Sequence, residues 1–135
     1  MKNVVITNGS VSLEVLDEVL PWLDAFNIDL KGFTDNFYRM VHGELEDVKR
    51  FIVRAAGKSH VEITTLIIPG LNDTEREIEE MAEWIASVRR DIPLHLNRFF
   101  PRYKMTDREA TSPELLLRLA GAARNHLEYV RVGNC

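Results

Sequence analysis

Asn27-Ile28-Asp29-Leu30-Lys31 reads as an apolar strand that ends in a carboxylate and an ammonium two residues apart. Side chains alternate faces along a strand, so Asp29 and Lys31 point the same way, with Asn27 behind them. A charge pair at the end of an otherwise buried strand costs desolvation unless it serves a site or is well compensated. The sole cysteine, Cys135, stands at the end of the sequence. A charged strand end without clustered thiols points to part of an active site whose reactive half lies outside this chain.

Strands and helices alternate on either side of this stretch. Residues 4–7 form a short apolar run, stopped by Asn8-Gly9-Ser10. Leu13, Leu16, Leu20 and Leu23 then recur near helical spacing, up to the Pro21-Trp22 punctuation. Residues 25–30 are a second strand, and 33–42 hold a short helix ended by Gly43. Leu45, Val48, Phe51, Ile52 and Ala55 mark a longer helix, with Gly57 where a C-cap belongs. Residues 61–68 are a third, β-branched strand, broken by Pro69-Gly70-Leu71-Asn72-Asp73. Thr74 and Glu77 form a capping-box pattern, with Asn72 and Glu75 as the alternative frame, ahead of Ile78, Met81, Ala82, Ile85 and Val88 on one face. Residues 94–99 are a fourth strand and 101–111 a polar, basic loop. Ser112-Pro113-Glu114 starts a last helix, buried through Leu116, Leu119, Ala120 and Ala123, and residues 129–132 are a last strand. Strands apolar on both faces, separated by amphipathic helices, predict an α/β fold with a parallel sheet of about five strands. Both an open doubly wound sheet and a partial (β/α) barrel, or half barrel, fit. Residues 1–135 read as a single domain.

Bulk composition removes several classes. With 45% hydrophobic and 28% charged residues the chain is globular rather than disordered. Its net charge of -4 argues against a nucleic-acid partner, although Arg98, Arg102 and Lys104 make a local basic cluster. One cysteine excludes an internal disulfide framework and a cysteine-based zinc site. None of His42, His60, His95 and His126 pairs at metal spacing, so no metal ligands are expected. No apolar run is long enough to span a bilayer, and Met1-Lys2-Asn3 leads straight into Val4 without signal-peptide architecture. The expectation is a cytoplasmic protein without a membrane partner.

In parallel α/β folds, sites lie at the carboxyl ends of the strands. Here Thr7-Asn8-Gly9, Asp29-Leu30-Lys31-Gly32, residues 69–73 and Asn97-Arg98-Phe99-Phe100-Pro101 all put polar groups there. Each has a plainer reading. Asn8-Gly9 is a turn dipeptide, Asp29 and Lys31 can form a structural ion pair, and residues 69–73 can be a turn with a helix cap. Thr64 and Thr65 can be mere β formers. Four such ends together point to one composite pocket.

Read as a set, Thr7-Asn8-Gly9, then residues 27–32, then Thr64-Thr65-Leu66-Ile67-Ile68-Pro69-Gly70-Leu71-Asn72-Asp73 resemble the radical SAM superfamily. The branch is the one similar to pyruvate formate-lyase activating enzymes. Residues 98–107 and the ending Tyr129-Val130-Arg131-Val132-Gly133-Asn134 resemble the radical SAM member of the AmmeMemoRadiSam system. The resemblance covers essentially the whole chain, from the third barrel strand of the family onward. It implies a partial barrel and an oxidoreductase that cleaves S-adenosylmethionine reductively at a [4Fe–4S] cluster to a 5′-deoxyadenosyl radical, the cluster being held by a CxxxCxxC loop. That loop is absent here, so the resemblance implies the C-terminal portion of such an enzyme. The chain alone is then expected to be inactive and to bind neither cluster nor cofactor.

Carried over by position, Thr7 and Asn8 would line the cofactor site, and Asp29 and Lys31 would lie near its methionine and ribose portions. Thr64 stands where the activating enzymes often use arginine. Ile68, in the segment through Asp73, would lie beneath the adenine, Asn97 belongs to the same rim, and Phe100 stands where related enzymes place a histidine on the adenosine. No catalytic residue is assigned. The partners implied are a protein substrate, the missing N-terminal half, or a second copy joined through the exposed edge of the first strand. Two other readings stay open: a Schiff-base lyase using Lys31, and a non-catalytic binding or assembly module on a half-barrel scaffold.

Overall fold

The computed structural model describes residues 3–10, 12–101 and 109–133. These form β1 (Val4–Thr7), α1 (Leu13–Val19) running into a 3-10 turn (Leu20–Trp22), β2 (Ala25–Asp29), α2 (Asp35–Met40) and α3 (Leu45–Ala56). β3 (His60–Ile67), α4 (Glu75–Val88), β4 (Leu94–Arg98), α5 (Pro113–Ala123) and β5 (Val130–Gly133) follow. Four helices start where a hydroxyl meets the third residue on. Ser12, Thr34, Thr74 and Ser112 accept the N–H of Val15, Phe37, Glu77 and Leu115. Gly57 does occupy the C-cap of α3, but at φ −69, so it is not a left-handed cap. Among the described non-glycine residues the left-handed one is His42 at φ 60, one residue past the Val41 C-cap of α2. The basic loop residues 102–108 and the terminal Asn134 and Cys135 lie outside the described residues.

The five strands are parallel and lie in the order β1-β2-β3-β4-β5. The helices that connect these parallel, sequentially ordered strands pack over one face of the sheet. Phe26, Ile28, Val61, Ile63, Ile67, Leu94, Leu96 and Val130 point into that layer, against Leu16, Phe51, Ile52, Ile78, Met81, Ile85, Leu116 and Leu119. Phe26 and Phe51 meet edge to face at 5.8 Å, and Asp17 of α1 pairs with Arg54 of α3 at 2.7 Å. β1 and β5 are the two edges, so the described sheet is open.

The helix-free face corrects the expectation of strands apolar on both sides. Its alternate positions include Asn27, Asp29, Glu62, Thr64, His95, Asn97 and Arg131. Short runs such as Ile63-Thr64-Thr65-Leu66-Ile67 hide this, because β-branched threonine reads like a core residue until the register shows which way it points.

The turn that leaves β3 ties the strand ends together. Asn72 is wholly buried. Its Oδ1 accepts the Ile68 N–H at 2.7 Å, while its Nδ2 donates to the carbonyls of Lys31 at 2.7 Å and Leu66 at 2.8 Å. One amide therefore satisfies three backbone groups, from the loops after β2 and β3 and from the end of β3 itself. Removing it leaves all three unpaired in the interior, and each such group costs about 1–3 kcal/mol. Asn72→Ala is expected to lower unfolding free energy by about 3 kcal/mol or more, read from denaturant midpoints. Asn72→Asp should be no better, since a carboxylate cannot donate to the two carbonyls.

Candidate functional site

The site is built on the loop that follows β2, whose peptide groups are held from several directions. The Leu30 N–H donates to the Thr64 carbonyl at 3.0 Å, and the Leu30 carbonyl accepts the Thr65 hydroxyl at 2.7 Å. The Lys31 N–H donates to the Tyr38 hydroxyl oxygen at 2.9 Å, and the Lys31 carbonyl is the one held by Asn72. Burial pushes the Tyr38 hydroxyl up to about 12, so it stays neutral in ordinary buffers. The Phe33 N–H donates to Glu77 Oε2 at 2.8 Å. Burial pushes the Glu77 carboxyl up, opposed by that N–H. Thr74 caps α4 as expected, but the reciprocal half of the capping box is missing because Glu77 turns to Phe33 instead.

On this fixed loop Lys31 Nζ donates to Asp29 at 2.9 Å, with both side chains about two-fifths exposed. Asp29 pairs in register with Thr64, whose hydroxyl donates to Asn27 Oδ1 at 2.8 Å. Leu66, also on the helix-free face, is 40% exposed and lies in register with Asn97. Asn97 packs over Gly133, where a Cβ would collide with its Oδ1. The structure thus puts Asp29, Lys31, Thr64 and Asn97 on one open face. Their chemistry comprises a carboxylate, an ammonium, a hydroxyl and an amide around an apolar platform. That set can accept from hydroxyls or an ammonium and donate to a carboxylate.

The remaining expected site residues are placed differently. Thr7 lies at the same end of the sheet but is in register with Ile28, so its side chain points to the helical side, where it accepts the Gly9 N–H at 3.2 Å. Asn8 accepts the Ser10 N–H at 3.0 Å and serves the turn. Ile68 is held through its backbone by Asn72. Phe100 is 40% exposed and lies under the Arg98 guanidinium, 4.7 Å from its ring centroid. Arg98 Nε in turn donates to the Thr111 carbonyl at 2.6 Å. Tyr38, Asn72 and Glu77 are missed by sequence reasoning as site builders. The only signals for them are a polar residue inside the turn before a capped helix and a glutamate in a cap frame.

A second polar group occupies the amino-end half of the same face. Glu62 sits between His95, at 2.6 Å, and His60, at 3.0 Å, in a cleft of about 580 Å³ that Tyr129 and Arg131 also line. Hydrogen bonds from His95 and then His60 hold the Glu62 carboxyl below the usual carboxylate range. Among the described residues, no three His, Cys, Asp or Glu side chains are arranged to hold a metal ion.

No family model matches the chain. It is 39% identical over 140 residues to the uncharacterized protein MJ0808 of Methanocaldococcus jannaschii, a match that takes 99% of this chain and 40% of that protein. The chain therefore spans about two-fifths of the length of that curated relative. Among solved structures it is similar to a domain of pyruvate-formate lyase-activating enzyme from Bacteroides vulgatus, with a TM-score of 0.84 at 22% identity, covering 99% of this chain and 82% of that one. A radical SAM methyltransferase from Sphaerobacter thermophilus aligns with a TM-score of 0.77 at 14% identity, over 96% of this chain and 39% of that one. TYW1 with a lysine-pyruvate adduct bound aligns with a TM-score of 0.63 at 20% identity, over 96% and 42%. The chain shares the α/β fold of these solved structures, here with a five-stranded open parallel sheet.

The Glu62 pair gives a pH test. A carboxylate whose folded pKa is depressed adds stability that is present above its unfolded value of 4.5 and is lost as pH falls through the folded value. Glu62→Gln should therefore be less stable than the parent at neutral pH, and the two should converge on acidification below 4.5. Denaturant midpoints across that range would show it, and parallel curves would contradict it.

Proposed function

We propose that this chain is the C-terminal portion of a radical SAM enzyme of the activating-enzyme type, and that its carboxyl-end rim holds the adenosyl and methionine parts of S-adenosylmethionine. The supporting observation is the Asp29–Lys31 pair, presented on the helix-free face by a loop whose peptides are all tied down. Asp29 accepts from ribose hydroxyls or the ligand ammonium, and Lys31 donates to its carboxylate. Thr64 and Asn97 complete the polar lining, and Leu66 offers an apolar surface between them. Phe100 supplies a ring beside the rim, whereas Thr7, Asn8 and Ile68 shape the loops that frame it.

The residues of this chain do not fit a [4Fe–4S] cluster. Such clusters are held by several thiolates, and the sequence has one cysteine. The cluster, and the reductive cleavage it supplies when bound, belong to residues outside this chain. The chain alone is therefore inactive and an incomplete binder. The length of the curated relative is consistent with this division. A Schiff-base lyase is less well supported, because Lys31 is committed to Asp29 and stands two-fifths exposed, without the desolvated pocket that activates a lysine.

One further observation bears on partners. Ile6 is 82% and Val4 61% exposed on the edge strand β1. An apolar edge with unpaired backbone groups invites another strand. We assign it to the rest of a longer polypeptide or, for the chain alone, to a second copy. No helix among the described residues is long and apolar enough to cross a membrane.

Calorimetry with S-adenosylmethionine tests the reading. The chain should bind more weakly than micromolar, and Asp29→Asn or Lys31→Met should each weaken binding about tenfold or more. Submicromolar binding would show that the methionine anchor is not missing. Indifference to both substitutions would show that the rim is not the site.

A further inference from the structure

We propose that Glu77 is a positioning residue of this rim: from the first turn of α4 it fixes the Gly32–Phe33 peptide, and so braces from behind the Lys31 peptide that Tyr38 and Asn72 hold. The consequence for a ligand rests on the adenosyl reading above, whereas the tether itself does not.

Neither helix capping nor solvation explains where Glu77 lies. Its place in the cap frame would let it return to the start of its own helix, yet its Oε2 reaches a backbone N–H 44 residues away. The residue is 7% exposed, and the charges of Asp73 and Glu80, both acidic, act against its ionisation. Burying a carboxylate among like charges is unfavourable unless a specific bond compensates it. The Phe33 N–H is that bond.

The loop is shaped for this contact. A Cβ on Gly32 would come within 3.1 Å of Glu77 Oε2 and 2.7 Å of Phe37 Cδ1, so glycine lets the carboxylate and the aromatic ring close over the backbone. The same helix also holds the Phe33 side chain, whose ring lies 6.0 Å from that of Trp84, with Lys49 Nζ 5.3 Å from both centroids. α4 thus grips Phe33 by its peptide and by its ring. Tyr38 and Asn72 fix the Lys31 peptide, and Glu77 closes the loop behind it. Without Glu77 the loop can hinge at Gly32, so the Lys31 peptide keeps its bonds to Tyr38 and Asn72 but loses the brace on its carboxyl side.

Amide hydrogen exchange by NMR tests this on the whole chain. The variants are Glu77→Ala, Glu77→Gln, and Ser112→Ala, which removes the cap of the distant α5 and calibrates general destabilisation. Glu77→Ala should speed exchange at Phe33 about tenfold or more beyond the change at the core amides of Ile63 and Leu94. Glu77→Gln keeps an acceptor oxygen and should restore the protection. Gly32→Ala, which pushes the carboxylate away, should mimic Glu77→Ala and serves if that variant does not fold. S-adenosylmethionine affinity should fall with Glu77→Ala and recover with Glu77→Gln. Unchanged Phe33 exchange in Glu77→Ala, or a rise shared equally by Ile63 and Leu94 as in Ser112→Ala, would overturn the proposal. Normal tethering in a parent chain that binds no S-adenosylmethionine would instead overturn the adenosyl reading.

Discussion

The buried amide of Asn72 is the interaction on which the rim depends. Strand ends in a parallel sheet leave carbonyls and N–H groups with no next strand residue to meet them. Asn72 has both a donor and an acceptor, and it meets one N–H and two carbonyls at the loops after β2 and β3 and the end of β3. No apolar side chain can do this, and a carboxylate lacks the donor. Thr65 and Tyr38 finish the β2 loop, and Thr111 plays the matching part after β4, donating to the Ile67 carbonyl and accepting the Phe99 N–H. Charged side chains on such loops keep their positions because the peptides beneath them have nowhere else to bond.

The fold was legible because the apolar periodicities agree with the punctuation. Val4–Thr7, Ala25–Asp29 and Leu94–Arg98 begin and end within a residue or two of their expected bounds, since Asn8-Gly9, the Asp29–Lys31 charges and Pro101 stop them. The hydroxyl caps at Thr74 and Ser112 were equally plain. What the sequence hid was direction. Thr7 and Asp29 both end strands, yet the register sends their side chains to opposite faces. Glu77 looked like half of a capping box, because the Phe33 N–H that claims it is far away in the chain. Glu62 and His95 were unremarkable singly, and only the pairing of β3 with β4 brings them together. Local patterns report local bonds, whereas the Glu77–Phe33 and Glu62–His95 contacts are made by topology.

The helix-free face is therefore divided. Toward the carboxyl ends it carries exposed, fixed charges and an apolar platform, as a ligand rim requires. Toward the amino ends Glu62 is bonded by two imidazoles, one on each carboxylate oxygen. The likeness to radical SAM proteins falls on a chain that holds this rim but lacks the thiolates of a cluster. On the same face Val4 and Ile6 leave the edge strand β1 apolar and exposed.

Backbone NMR of the chain titrated with S-adenosylmethionine to millimolar concentration tests the central claim most directly. The account predicts shifts centred on Asp29, Lys31, Thr64 and Asn97, with His60, Glu62 and His95 unmoved. Shifts confined to the amino-end group, or none at any residue of the rim, would contradict it.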